Sequence, residues 1–297
     1  MRRLRDNAHL LLIIAVTFWA GNFLIGRAVR ADVPPVALAF GRWAGATLLL
    51  APFAARAAWR ERRLFVRHAG VVLALSFTGV AVFNTLIYLG LQTTTALNAF
   101  LLQALMPVLI VAIGAATFGD RIGPRQAAGL TLAMLGALWV ILEGRPGRLA
   151  SLGVARGDLL VLVAVVSYAV YSVLLRRRPG AGGAPFAFVT FLLGTIMLLP
   201  FVVWEHQLRP FEPNPAALGA LAYVMVFPSI LSYLAFNRGV ALIGSARAGV
   251  YLHLMPVLGG LGAVALLGER FEAFHAVGVV CVASGIALAA GRDPRRR

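Results

Sequence analysis

Leu105-Met106-Pro107-Val108-Leu109 returns as Leu254-Met255-Pro256-Val257-Leu258, an offset of 149 residues. The offset holds without a gap from 90–136 onto 239–285, setting Gly90 on Gly239, Ala99 on Ala248, Ala116 on Ala265 and Gly119 on Gly268. Arg121 likewise meets Arg270, Gly129 meets Gly278 and Gly136 meets Gly285. The repeated segments are too apolar for a water-soluble domain. Internal duplication of such segments is how secondary transporters are built.

Working outward, the whole chain reads as lipid-solvated. Of its 297 residues 60% are hydrophobic and 13% charged, and the mean hydropathy is +0.86, whereas a soluble domain carries about a quarter charged residues. A hydrocarbon core of about 30 Å requires about 20 residues per helix. Apolar runs bounded by Arg, Pro or Gly lie near 8–29, 35–54, 68–91, 95–118, 124–142, 157–175, 185–204, 215–238, 245–267 and 272–290. None alternates with the period of a barrel strand. The expectation is an all-α polytopic membrane protein with ten transmembrane helices, five per repeat. Residues 1–142 form the first repeat, 143–156 the inter-repeat loop, and 157–297 the second repeat with a short basic tail.

The net charge of +16 comes entirely from arginine. Nineteen of these fall in alternate connections if the N-terminus is cytoplasmic: Arg2, Arg3, Arg5, Arg56, Arg60, Arg62, Arg63, Arg67, Arg121, Arg125, Arg176, Arg177, Arg178, Arg238, Arg247, Arg292, Arg295, Arg296 and Arg297. The positive-inside rule then places both termini in the cytoplasm. The basic charge is accounted for by topology and anionic lipid rather than nucleic acid. Five is odd, so the second repeat begins on the opposite side from the first and the two are inverted. The first apolar run matches the opening of the second repeat, Arg27 against Arg176, and is expected to be retained rather than cleaved as a signal peptide. The lone Cys281 excludes an internal disulfide.

Motifs for enzymatic work are missing: no H-E-x-x-H, G-x-S-x-G, Walker A loop or His/Cys metal spacing occurs, so neither a cofactor nor a metal is expected. All eleven acidic residues fall at span ends or in loops, which argues against tight proton coupling through a carboxylate at the midplane. The fifth and tenth spans carry almost no polar side chains, and their glycines, Gly129, Gly136, Gly278 and Gly285, suit close packing of the pair. The polar residues concentrate on the first, third, fourth, sixth, eighth and ninth spans, where a central cavity is expected.

Arg42 lies about 12 Å inside the second span at 1.5 Å per residue. It reads either as the counter-charge for a substrate carboxylate or as an arginine bonded to backbone carbonyls. His253 reads as the His within a span able to titrate near neutrality, serving either as a substrate partner or as a group satisfied by a neighbouring hydroxyl. Asn84 and Tyr88 share a face of the third span, as Tyr233 and Asn237 do on the eighth. Trp19 and Asn22 on the first span match Tyr168 and Tyr171 on the sixth. Asn98 and Gln103 on the fourth span and Tyr251 on the ninth complete the candidate substrate-binding set, and lipid forces such groups inward. Pro107 and Pro256 each remove a backbone hydrogen bond at equivalent positions, marking helix breaks at the binding level.

The stretch Tyr88-Leu-Gly-Leu91, Thr95-Ala96, Met106-Pro107-Val108, Phe118-Gly-Asp-Arg121 and Gly129, with its copy Gly239, Ser245-Ala246, Met255-Pro256-Val257, Leu267-Gly-Glu-Arg270 and Gly278, resembles the EamA repeat. Trp19-Ala20, Asn22 and Arg42-Trp43 are similar to its opening. The resemblance covers nearly the whole chain and places it with the drug/metabolite transporter superfamily, near the bacterial amino-acid exporters. It implies an alternating-access carrier of the bacterial inner membrane whose second and seventh helices help to close the two gates. The expected cargo is a small organic metabolite, above all an amino acid, including aromatic and apolar ones; the oligomeric state is left open, a monomer being compatible. A carrier of phosphorylated or nucleotide-linked metabolites is the alternative within transport, and an intramembrane enzyme the alternative outside it. The second repeat departs from the pattern with Tyr168 and Phe191 where the first has Trp19 and Arg42.

Overall fold

The structure is a computed structural model, and it describes residues 7–119, 123–149, 155–243, 251 and 254–290. Among the described residues every regular element is helical and no strand occurs. In chain order the helices are α1 (Ala8–Ala28), α2 (Pro35–Arg60), α3 (Ala69–Gly90), the pair α4a (Ala96–Gln103) and α4b (Met106–Phe118), α5 (Pro124–Ile141), α6 (Arg156–Leu174) and α7 (Gly183–Leu208). After them come α8 (215–243), α9 (Leu254–Leu267) and α10 (Ala273–Ala290). A short helix, Arg62–Arg67, joins α2 to α3. Six of these helices are long and apolar enough to cross a bilayer: α1, α2, α3, α6, α7 and α8. The bent pair α4a and α4b makes a seventh if taken as one span, and α5, α9 and α10 contain shorter apolar stretches.

Local chemistry sets where helices begin, turn and break. The Asn7 side chain caps α1 by accepting from the Leu10 N–H at 3.1 Å, and Asn214 caps α8 by accepting from Ala217 at 2.8 Å. Both supply the donors of a first helical turn with an acceptor they otherwise lack. The turns after α4b and α9 each need a left-handed residue, and Gly119 (φ 70°) and Gly268 (φ 67°) provide it at the repeat spacing. Such a φ is open to glycine and strained for residues with a Cβ. At the expected break, α4 bends by 40° between Gln103 and the second segment, with Pro107 in the first turn of α4b. Pro256 stands in the first turn of α9, and residues 252–253, immediately before that helix, lie outside the described residues.

Two π segments recur about one repeat apart. Ser76–Val82 widens α3 and Phe227–Leu231 widens α8. In α8 the cause is readable: Pro228 has no N–H to give to Val224, and the Ser229 hydroxyl takes over that carbonyl at 2.7 Å. Each segment also offers a carbonyl sideways. Thr78 O accepts from the Ser167 hydroxyl of α6 at 2.9 Å, and Pro228 O accepts from the Trp19 indole of α1 at 2.9 Å.

The core sits where α1, α2, α3, α6, α7 and α8 meet, with Trp43 of α2 against Phe191 of α7 at 4.6 Å between ring centroids and Phe83 of α3 against Tyr168 of α6 at 4.6 Å. Beside it, α5 and α10 run backbone to backbone. A Cβ added to Gly285 would stand 2.6 Å from both Ala133 N and Gly129 O, and one added to Gly136 would stand 2.6 Å from the Cys281 Cβ. The glycines are what let these two helices touch.

Candidate functional site

Arg42 organises the interior. Its guanidinium is buried, 5% exposed, and reaches three other helices. Nε donates to Ser229 Oγ of α8 at 2.9 Å, and Nη1 donates to Asn22 Oδ1 of α1 at 2.7 Å, to Asn84 Oδ1 of α3 at 2.8 Å and to the Tyr88 hydroxyl oxygen of α3 at 3.2 Å. Tyr88 passes its own proton to Asn22 Oδ1 at 2.5 Å. Among the described residues all four acceptors are side chains rather than backbone carbonyls. A charged donor in a low-dielectric interior makes such bonds strong and makes their loss costly.

The arrangement leaves one edge of the cation open. Among the described residues no hydrogen bond reaches Arg42 Nη2, nor is Nη2 one of the sealed side-chain atoms without a partner, which are Trp43 Nε1, Gln103 Oε1 and Trp139 Nε1. Tyr168 and Tyr171 of α6 lie 5.1 Å apart, and Tyr168 packs 4.6 Å from Phe83, the sequence neighbour of Asn84 on α3. Tyr168, Tyr171 and Tyr233 are all half-buried. Arg42 also lies 4.7 Å from the Trp43 ring, a cation–π contact that further fixes its plane.

The structure thus brings together Trp19, Asn22, Arg42, Asn84, Tyr88, Tyr168, Tyr171 and Tyr233. Trp19 belongs by position, its ring 5.2 Å from Phe236 and its N–H on Pro228 O, so it holds α1 to the π segment of α8. Three expected members stand elsewhere. Asn98 is in a second network at the end of α4a nearest α6. The Tyr251 hydroxyl bonds to His9 at the start of α1, and Gln103 has its carbonyl oxygen sealed without a partner. They separate because Asn98 is drawn to Asp158 of α6 and His275 of α10, and Tyr251 precedes α9 at the level of His9. The side chain of Asn237 and all of His253 lie outside the described residues.

Sequence reasoning missed Ser229, whose hydroxyl oxygen accepts from Arg42 Nε. The signal available was Pro228-Ser229 inside an apolar run, a pair that interrupts a helix and then repairs it. It also missed how deep some residues at span ends are buried. Asp158, in the first turn of α6, is fully buried and accepts from the Thr94 hydroxyl and from Asn98 Nδ2 at 3.3 Å. His275 of α10, overlooked when His253 was singled out, is 4% exposed. Its Nδ1 accepts from the Glu272 N–H at 2.9 Å, so Nε2 carries the proton and donates to Asn98 Oδ1 at 3.1 Å. Asn98 therefore ties α10 to α6 instead of facing Arg42.

Carboxylates also tie helix starts together on one face, that of the α1–α2 turn, the far face. Glu205 at the end of α7 accepts from the Val36 N–H at 3.0 Å and the Ala37 N–H at 2.7 Å, the first turn of α2. On the opposite, near face Glu61 accepts from the Gly182 N–H at the start of α7 at 3.2 Å. Negative charge at an α-helix N-terminus meets both unpaired donors and the positive end of the dipole. Among the described residues no group of three or more His, Cys, Asp or Glu is placed to hold a metal ion.

Comparison with known proteins agrees with this architecture. The model of the EamA-like transporter family matches twice, over residues 6–142 and 155–291. An "uncharacterized transporter" of Archaeoglobus fulgidus is 28% identical over 297 residues, covering 98% of this chain and 99% of its own. A probable terminal-alkyne amino-acid exporter of Streptantibioticus cattleyicolor is 27% identical, covering 96% and 94% of the two chains. A probable amino-acid metabolite efflux pump of Escherichia coli is 24% identical, with 95% and 93% covered.

Proposed function

The chain belongs to the EamA-like transporter family, which makes it an integral membrane transporter of small molecules and not an enzyme, and from that premise we propose that it exports amino acids, including aromatic and apolar ones, by alternating access. The proposed frame is ten spans in two inverted five-span repeats around a central crevice, in a bacterial inner membrane with both chain ends cytoplasmic. The excess of arginine on one set of connections supports that orientation.

The observation that carries the cargo class is the open Nη2 edge of Arg42, held rigidly by Asn22, Asn84, Tyr88 and Ser229. With Nε and Nη1 already engaged, the Nη2 N–H groups remain as charged donors for a carboxylate. Tyr168, Tyr171 and Tyr233 beside it supply apolar faces with polar tips, which suits an aromatic or apolar side chain. The relatives named as amino-acid carriers support the same class. A phosphorylated cargo would call for several buried cations around the crevice, and among the described side chains of the site Arg42 is the cation present.

A stability screen of the purified protein tests this reading. An amino acid at a hundred times its dissociation constant stabilises by about 2.7 kcal/mol, so phenylalanine or tyrosine is expected to raise the unfolding temperature while the corresponding amines, which lack the carboxylate, leave it unchanged. Equal effects of amine and amino acid, or stabilisation by phosphorylated metabolites alone, would overturn it. Liposomes loaded with the stabilising compound then report its efflux directly.

A further inference from the structure

On the near face α2 passes through the short helix Arg62–Arg67 into α3, and the charge there is dense. Five arginines fall between residues 56 and 67, all exposed, against a single acid, Glu61. That acid is committed to backbone, its Oε2 accepting from the Gly182 N–H at 3.2 Å. The bond sets the end of α2 beside the α6–α7 connection, which brings Arg176, Arg177 and Arg178, all exposed, and no acid. Arginines of both repeats therefore adjoin on one rim.

The rim is built by packing. Phe65, 7% exposed, plugs the short helix into an apolar cluster with Ala58, Val72 and Phe186, against which Leu175 and Ala181 pack. Arg62 lies over Trp59, its Cζ 4.7 Å from the ring centroid, and donates to the Trp59 carbonyl at 2.9 Å. Arg176 and Arg177 stand 5.2 and 5.0 Å from the Phe118 ring. Contacts of this kind hold a guanidinium in place through the ring face and without using its N–H donors.

The surface next to these charges is apolar. Phe53, Trp59 and Val66 are 82%, 69% and 74% exposed. In a membrane protein such side chains face acyl chains, and a tryptophan at a helix end belongs at the headgroup level. A ligand that reaches the arginines thus meets positive charge and hydrocarbon together, which matches a phospholipid and not a soluble anion. Topology alone asks only for the number of arginines on this side. It does not ask for the acid to be turned onto backbone, nor for the short helix to be plugged in beside the second repeat.

We propose that this rim is a binding site for an anionic phospholipid. Its phosphate lies between the short helix of the first repeat and the α6–α7 connection of the second, and its tails run along the outer face of α2 beside Phe53. The lipid thereby bridges the two repeats from outside the bundle. Its site shares no residue with the one around Arg42, so its failure leaves the amino-acid reading standing.

The test is thermal unfolding of the purified protein in neutral detergent micelles, titrated with phosphatidylglycerol, phosphatidylcholine or glycerol phosphate. Phosphatidylglycerol is expected to raise the unfolding temperature, and the other two to leave it unchanged. Arg62→Gln and Arg177→Gln, one from each repeat, should each weaken the apparent lipid affinity about fivefold, the equivalent of about 1 kcal/mol per basic residue at a membrane surface. Arg156→Gln, an exposed arginine at the opposite end of α6, should keep the parental affinity. A second readout does not depend on unfolding: brominated phosphatidylglycerol should quench tryptophan fluorescence more than brominated phosphatidylcholine, and Trp59→Phe should abolish the excess. Equal stabilisation by the two lipids, equal stabilisation by glycerol phosphate, equal losses in all three arginine variants, or an excess of quenching that survives Trp59→Phe would each overturn the site.

Discussion

An arginine in hydrocarbon costs several kcal/mol unless its donors are met, and Arg42 meets that demand with neighbours from α1, α3 and α8 while keeping Nη2 for something else. Its depth was legible in the sequence, as was the inward turn of Asn22, Asn84 and Tyr88, because lipid leaves polar side chains no alternative. Ser229 was not legible, since a serine in a span can satisfy itself on its own backbone and so carries no signal of a partner. The planar fork gives the residue-scale prediction. Arg42→Lys keeps the charge and loses the geometry, so KM for the carboxylate-bearing cargo should rise about tenfold, the equivalent of one good hydrogen bond at about 1.4 kcal/mol. The freed oxygens of Asn22 and Asn84 should lower stability by about 1–3 kcal/mol. Transport kinetics and thermal unfolding of the same preparation measure both. An unchanged KM would remove Arg42 from the binding edge.

Helices assert themselves in this chain through their interruptions. Glycine spacing on the fifth and tenth spans already implied that they touch, and the backbone approach at Gly136, Gly278 and Gly285 bears that out. A methyl group at Gly285 would meet backbone atoms at 2.6 Å, and backbone cannot swing aside as a side chain can. Gly285→Ala is therefore expected to destabilise by about 1–3 kcal/mol through overpacking. Transport should stay near the parental rate, because α5 and α10 supply none of the groups around Arg42. Detergent-resistance and flux measurements check the two halves. The π segments were not readable in advance. Pro228 marks one of them, but Ser76–Val82 has no proline, and a π-turn depends on what the neighbouring helix offers to the displaced carbonyl, here Ser167.

For the molecule as a whole, described ties occur on both faces: the far face holds the Glu205, Glu269 and Asp158 contacts, and the near face holds the bonds of Gly182 to Glu61 and of His9 to Tyr251. The proposed orientation rests on the distribution of arginine, and it is checkable: tags on both chain ends should be accessible from the cytoplasmic side and from no other, and tags found on opposite sides would exclude an even number of spans. By itself the sequence determined that this protein lives in lipid, that it is made of two copies of one unit, and roughly where each helix runs. Those are properties summed along the chain, since apolar transfer energy and breaks at glycine and proline need no knowledge of distant residues. Only the tertiary structure decided which polar groups meet. Arg42 and Ser229 stand 187 residues apart in sequence, and their contact depends on how far α2 and α8 are turned about their own axes, an angle set by the packing of every neighbouring helix at once. For the same reason Asn98 left the expected site and Asp158 became buried: depth and direction are properties of the assembled bundle.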